Sequence, residues 1–363
     1  MKFRGRKVDH RYIWISLGLF ALLIRWIFSY APHFCEAVYS RGLFLGIRWL
    51  IDHTIALSPV ATVYFLVPAL VFWGIWRIVK FVKNRKFYTG LEHVKEFFLS
   101  LFGFLGGLIF LFLFMWGYNY ARVPLEEQMH IDALPLDLAA LKIEGSYIKD
   151  KCIDIRKQIP NTDTTAIDAS YYPDDLENTM RELLEGVLDE AGYPTTGSVR
   201  GRFIKPKGIL LRFSASGVYM PFTGEGHVDD GLHILQKPFT LAHELAHGYG
   251  FGDEAICNFL GYLACIRSNN LAIQYSGYLT YWRYVFGELK ALDYDYYKPE
   301  RATISKGMQN DLKAVYATYR LYPDLIPKLQ QAAYDVYLKS QGVKEGVKSY
   351  DRMVVLIAAW RKK

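Results

Sequence analysis

Cysteine is scarce in this chain. Of 363 residues only Cys35, Cys152, Cys257 and Cys265 are cysteines, and no two form C-x-x-C. That spacing excludes a cysteine-based zinc site or a thioredoxin-like dithiol. No stretch interleaves basic and aromatic residues as a nucleic-acid module would. The formal charge of +7 instead gathers in two short clusters beside apolar runs, so no nucleic-acid partner is expected. Repeats and low-complexity tracts are also missing. Apolar residues are what the chain has in excess: 52% hydrophobic and 16% aromatic, with 27 Tyr and 23 Phe. That excess sits in the first third, and the rest reads as an ordinary globular sequence.

Three apolar runs, at about 12–30, 60–76 and 97–118, are each long enough to cross ~30 Å of hydrocarbon at ~1.5 Å per residue. Arg25 interrupts the first, where it either pairs inside a bundle or snorkels to the boundary. Pro68 lies in the second, which a membrane helix tolerates. The third carries no charge. The first lacks a small-residue cleavage site and two more spans follow, so it is read as a retained helix and not a signal peptide. Lys2, Arg4, Arg6, Lys7 and Arg11 precede the first span. Arg77, Lys80, Lys83, Arg85, Lys86 and Lys95 separate the second from the third. The positive-inside rule then predicts a cytoplasmic N-terminus, with everything beyond the third span outside. In a bacterium this means a multi-pass protein of the cytoplasmic (inner) membrane with a periplasmic or extracellular C-terminal domain. The stretch 42–51 is amphipathic and suits the outer interface.

Residues 1–119 thus read as a membrane region and 120–363 as a globular domain. Leu176, Met180, Leu183, Leu184, Val187, Leu188 and Ala191 recur at helical spacing between Asp174-Asp175 and Gly192-Tyr193-Pro194. The stretch 208–214 reads as β. Helices are expected at about 240–248, 253–267 and 309–341. Helices around one small sheet give an α+β class.

Residues 243–247 spell H-E-x-x-H among good helix formers. On a helix His243 and His247 lie on one face and can share an ion. Glu244 is turned about 100° away, beside the ion and placed to take a proton from water there. A catalytic zinc needs a third protein ligand. Gly248, Gly250 and Gly252 favour a helix stop and a tight turn, and Asp253 is a good N-cap for a returning helix. Glu254 falls in that helix's first turn, with Asn258 on the same face, within reach of a ligand histidine. Asp253, His227 and His233 are the substitutes for Glu254 as third ligand.

The segment 239–265 resembles the gluzincin, thermolysin-like metallopeptidases. Their third ligand is a glutamate on the helix after H-E-x-x-H, often in Asn-Glu-Ala-x-x-Asp; here the residues are Asp253-Glu254-Ala255-Ile256-Cys257-Asn258. The resemblance implies a zincin-like domain binding Zn2+ through His243, His247 and Glu254, with Asn258 orienting a histidine. The gap from His247 to Glu254 is shorter than in that group, and Asn258 replaces the usual Asp. The layout of three spans followed by this motif is also similar to an uncharacterised family of bacterial membrane proteins with a zincin-like domain.

In the gluzincin layout an edge strand above the zinc helix pairs with extended substrate. Ser216 to Pro221 is the candidate here, with a plain surface hairpin as the alternative. Tyr275 could donate its hydroxyl to a developing oxyanion. The expected activity is hydrolysis of a peptide or protein substrate, or of a related amide such as a peptidoglycan cross-link. The alternative is a non-catalytic membrane sensor or assembly factor built on the same fold. Cleavage inside the membrane is disfavoured, because the motif lies about 120 residues beyond the last span.

Overall fold

The computed structural model describes residues 9–84, 90–160, 164–325 and 352–363, together with 332, 335, 336 and 339. Lys2, Arg4, Arg6, Lys7, Arg85 and Lys86, which enter the orientation argument, lie outside the described residues, as does most of 326–341. The chain forms two units, Met1–Val123 with Pro221–Thr223, and Pro124–Met220 with Gly224–Lys363. The boundary falls a few residues beyond the expected one.

In the first unit three helices are long and apolar enough to cross a membrane: α1 His10–Tyr30, α3 Val63–Asn84 and α4 Gly90–Met115. Asp9 caps α1 by accepting the amide of Arg11. Arg11 also holds Glu96 of α4 at 2.6 Å. Arg25 is half-buried on α1. The backbones of α1 and α4 touch at glycines. A Cβ on Gly18 would stand 2.6 Å from Gly106 Cα, and one on Gly106 would stand 2.5 Å from the Trp14 carbonyl oxygen. Small residues permit that approach between apolar helices. Nothing in the most apolar stretch of α3 is buried. The amphipathic stretch near 42–51 is the end of a π-helical segment, Glu36–Leu43, continued by α2, Phe44–Asp52. There Arg48 and Asp52 pair at 2.7 Å.

The second unit is mainly helical around a three-stranded sheet. Strand β1 (Arg200–Ile204) runs parallel to β3 (Glu225–Asp229). Strand β2 (Gly217–Met220) runs antiparallel to β3, so β2 is an edge. Helices α5 (Leu138–Gln158) and α6 (Leu176–Glu190) precede the sheet. After it come α7 (Lys237–Gly248), α8 (Glu254–Ile266), α9 (Leu271–Leu292), α10 (Tyr294–Ala302), α11 (Lys306–Leu321) and the C-terminal α12 (Arg352–Arg361). Every residue of α8 from Glu254 to Cys265 is buried, as expected of a helix apolar on all faces. It packs against α6, α7, α9 and α12. The sheet rests on α7 through glycines: a Cβ on Gly201 would meet Leu241 Cδ1 at 2.3 Å.

Two readings of the sequence are corrected. The apolar stretch 208–214 is not a strand but a turn and a short 3₁₀ helix, Leu211–Phe213. The buried Asp229 carboxylate accepts the amides of Gly208 (2.7 Å), Leu210 (2.7 Å) and Leu211 (3.1 Å), which folds this stretch back on itself. The strands flank it instead. The helix expected at 309–341 begins at Lys306 and is broken after Leu321, two residues before Pro323, and the described residues 332, 335, 336 and 339 of the expected span are again helical.

Candidate metal centre

Pro238 at the start of α7 fits the helix N-terminus, and Leu241, Ala242, Leu245 and Ala246 are all buried. The helix ends at Gly248. Gly250, at φ +89°, takes the left-handed conformation that lets the chain reverse. Asp253 then caps α8, accepting the amides of Ala255 and Ile256. This short connection brings three side chains to one point. The His243 and His247 Nε2 atoms are 3.1 Å apart. Glu254 Oε2 lies 3.1 Å from His243 Nε2 and 3.6 Å from His247 Nε2. Donors about 2.0–2.1 Å from a tetrahedral zinc stand about 3.3–3.4 Å from one another, so the spacing fits one ion. It is the only group of three or more such side chains found among the described residues.

The second ring nitrogens fix the tautomers. His243 Nδ1 lies 2.9 Å from Asn258 Oδ1, and His247 Nδ1 lies 2.7 Å from the Phe251 carbonyl oxygen. Each partner is an acceptor, so each Nδ1 carries the proton and each Nε2 directs a lone pair at the common point. Two lone pairs and a carboxylate oxygen at this spacing repel one another unless they share a cation. A proton on an imidazole Nε2 is the other way to relieve that repulsion. Burial opposes ionisation of Glu254, yet with no metal bound the protonated histidines hold its carboxyl well below the usual carboxylate range.

Glu244 does not join the three. It is buried, and burial pushes its carboxyl upward against the pull of the two histidines. Its Oε2 has no hydrogen-bond partner. The sheet crosses directly over it. A Cβ on Gly217 of β2 would lie 2.4 Å from Glu244 Oε1, and one on Gly226 of β3 would lie 2.8 Å from Glu244 Cβ. The expected strand at 216–221 is thus β2, an edge strand seated over Glu244. Tyr219 on β2 has its ring 6.2 Å from that of His247.

The remaining candidates lie elsewhere. Asp253 is the cap of α8. His233 accepts the amide of Leu235 at 3.3 Å, and burial lowers its pKa. His227 is buried in β3, with Nδ1 3.3 Å from the Val218 carbonyl oxygen and Nε2 3.6 Å from Glu225. Tyr275, expected as an oxyanion donor, has a partner of its own. Its hydroxyl is fully buried and donates to Asp311 Oδ2 at 2.9 Å, so its proton is committed to a structural partner. Reasoning from sequence missed the Phe251 carbonyl, which a backbone atom in a loop cannot announce. It also missed Gly217 and Gly226, whose only signal was glycine in a short strand.

A family model described as "Protein of unknown function (DUF3810)" matches residues 39–358. No curated protein and no solved structure matches the chain.

Proposed function

The chain belongs to this family of unknown function, so its activity is argued from the site, and we propose a membrane-anchored zinc metallopeptidase. One observation carries the reading: His243, His247 and Glu254 converge at zinc-ligand spacing, with the unpartnered Glu244 Oε2 on the neighbouring residue. Two imidazoles and one carboxylate are a donor set that suits zinc and leaves a coordination position open. When bound, zinc supplies Lewis acidity and lowers the pKa of water toward ~7.

The protein's own groups do the rest. Asn258 and the Phe251 carbonyl hold the imidazoles in the ligating tautomer. Glu244 accepts a proton at Oε2 and later returns it to the leaving amine. Burial of Glu244 beneath β2 strengthens its interactions by excluding water. The carbonyls of Ser216 and Met220 accept amides on the β3 side. Alternation along a strand then turns the backbone of Gly217 to the open edge, where an extended peptide can add as a further strand. A zincin-like fold for residues 124–363 and an extracytoplasmic setting belong to the same proposal.

The metal is tested first. Purified full-length protein is expected to hold one zinc per chain by elemental analysis. Glu254→Ala should lose most of it. Full retention by that variant would remove Glu254 from the ligand set. Location is tested separately by fusing reporters after Lys363. A reporter active only outside the cytoplasm should work there, and one active only inside should not.

A further inference from the structure

The C-terminal helix reaches the metal centre through an arginine. Arg352, the first residue of α12, lies 3.1 Å from Asp253 Oδ2 and 2.9 Å from Glu126 Oε1, both through NH2. The other Asp253 oxygen, Oδ1, accepts the amides of Ala255 (2.9 Å) and Ile256 (3.2 Å). One carboxylate therefore joins α12 to the first turn of α8. Glu254 stands in that turn, between the cap and the two amides it binds.

We propose that Arg352 is a positioning residue for the third ligand: it orients Asp253, whose cap fixes the turn that carries Glu254, making α12 part of the metal centre. The proposal rests on reading His243, His247 and Glu254 as a metal site.

Two features give α12 the stiffness this requires. Met353, Val354, Leu356 and Ile357 are fully buried. At the far end Arg361 grips both oxygens of Glu144, at 2.5 and 2.6 Å, and Tyr281 donates to the same carboxylate at 2.8 Å. The helix is thus locked to α5 and α9, and Arg352 projects from a fixed base. Its pair with Asp253 is partly exposed, 33% for Arg352 and 29% for Asp253, and exposed pairs add little to stability, so Asp253→Asn, which leaves the more buried Arg352–Glu126 pair in place, costs little in folding. A role in positioning therefore separates from a role in folding, because only the first changes metal affinity in a protein that melts normally.

The test uses the full chain in detergent, stripped of metal and titrated with Zn2+ against a chromogenic chelator. Arg352→Gln, Asp253→Asn and the double variant are compared with wild type. Asn also caps helices well, so Asp253→Asn removes the charge and keeps the cap. Each single variant should bind Zn2+ about tenfold more weakly, at the lower end of what partners around metal ligands contribute. The double variant should bind no more weakly than either single one. Metal-free melting temperatures should match wild type.

Wild-type affinity in Arg352→Gln would overturn the proposal while leaving the metal centre intact. So would additive losses in the double variant. Should Arg352→Gln melt early, Asp253→Asn decides: normal melting with wild-type affinity overturns the proposal, and normal melting with weakened affinity sustains it. A wild-type protein that binds no Zn2+ overturns this inference and the metallopeptidase reading together.

Discussion

Glu244→Gln is expected to reduce peptide hydrolysis by about 10²–10⁴, the usual cost of losing a general base, with bound zinc unchanged. The ligand atoms belong to His243, His247 and Glu254, and none is altered. Glutamine matches the size of glutamate and so keeps the packing beneath Gly217, where an added Cβ would lie 2.4 Å from Glu244 Oε1. What it cannot do is accept the proton. Metal content by elemental analysis and turnover of a peptide library, measured on the same preparations, check both halves. A Glu244→Gln protein that cuts a genuine substrate at the wild-type rate would sink the mechanism. Wild-type protein with zinc bound and no substrate ever cleaved would favour a sensor or assembly role.

Asp311→Ala should destabilise the protein by about 3–5 kcal/mol, since it strands a buried charge. Asp311 is fully buried on α11. It accepts Arg156 Nε at 2.7 Å, the Ile167 amide at 2.9 Å and the Tyr275 hydroxyl at 2.9 Å. Alanine would leave the buried Arg156 guanidinium without that carboxylate and the Tyr275 proton without an acceptor. At about 2–4 °C per kcal/mol for a unit of this size, the melting temperature should fall by at least about 6 °C in a thermal scan of the full chain. Tyr275→Phe removes one bond to the same carboxylate and should cost only about 1 kcal/mol, with turnover near wild type. A large fall in kcat with normal melting would restore Tyr275 to the chemistry.

The cluster of His243, His247 and Glu254 was legible because it is local. Helical geometry puts His243 and His247, four apart, on one face, while the choice of Glu254 across the glycine turn over Asp253, His227 and His233 came from the resemblance to the gluzincin pattern. The three spans were legible because uninterrupted apolar length is a strong signal, although α3 starts later than expected, at Val63, and continues beyond Trp76. Of the sheet only the edge strand β2 was legible, within the candidate segment 216–221; β1 and β3 were not. Strand β3 reads Glu-Gly-His-Val-Asp and is buried throughout. Its carboxylates find partners distant in sequence, as when Arg202 Nε meets Glu225 at 3.1 Å. No window of sequence contains both ends of such a bond. The same cause misdirected the reading of 208–214. An apolar run suggests a strand until Asp229, some 20 residues later, claims its amides. For Tyr275, one phenol among 27 carries no sign of its partner.

The contrast among the spanning helices bears on how this sequence can change over generations. Gly18 and Gly106 are held by shape, because the backbones of α1 and α4 meet there and even one methyl group would force them apart. The most apolar stretch of α3 has no buried residue, and Gly74 within it has no neighbour inside 4 Å. As a helix long and apolar enough to cross a membrane, α3 meets demands of length and apolarity that many sequences of Leu, Ile, Val and Phe meet equally. Apart from ring contacts such as Trp73 with Phe104, its positions tolerate exchange among apolar residues, while the glycine contacts of α1 and α4 admit almost no spelling but their own.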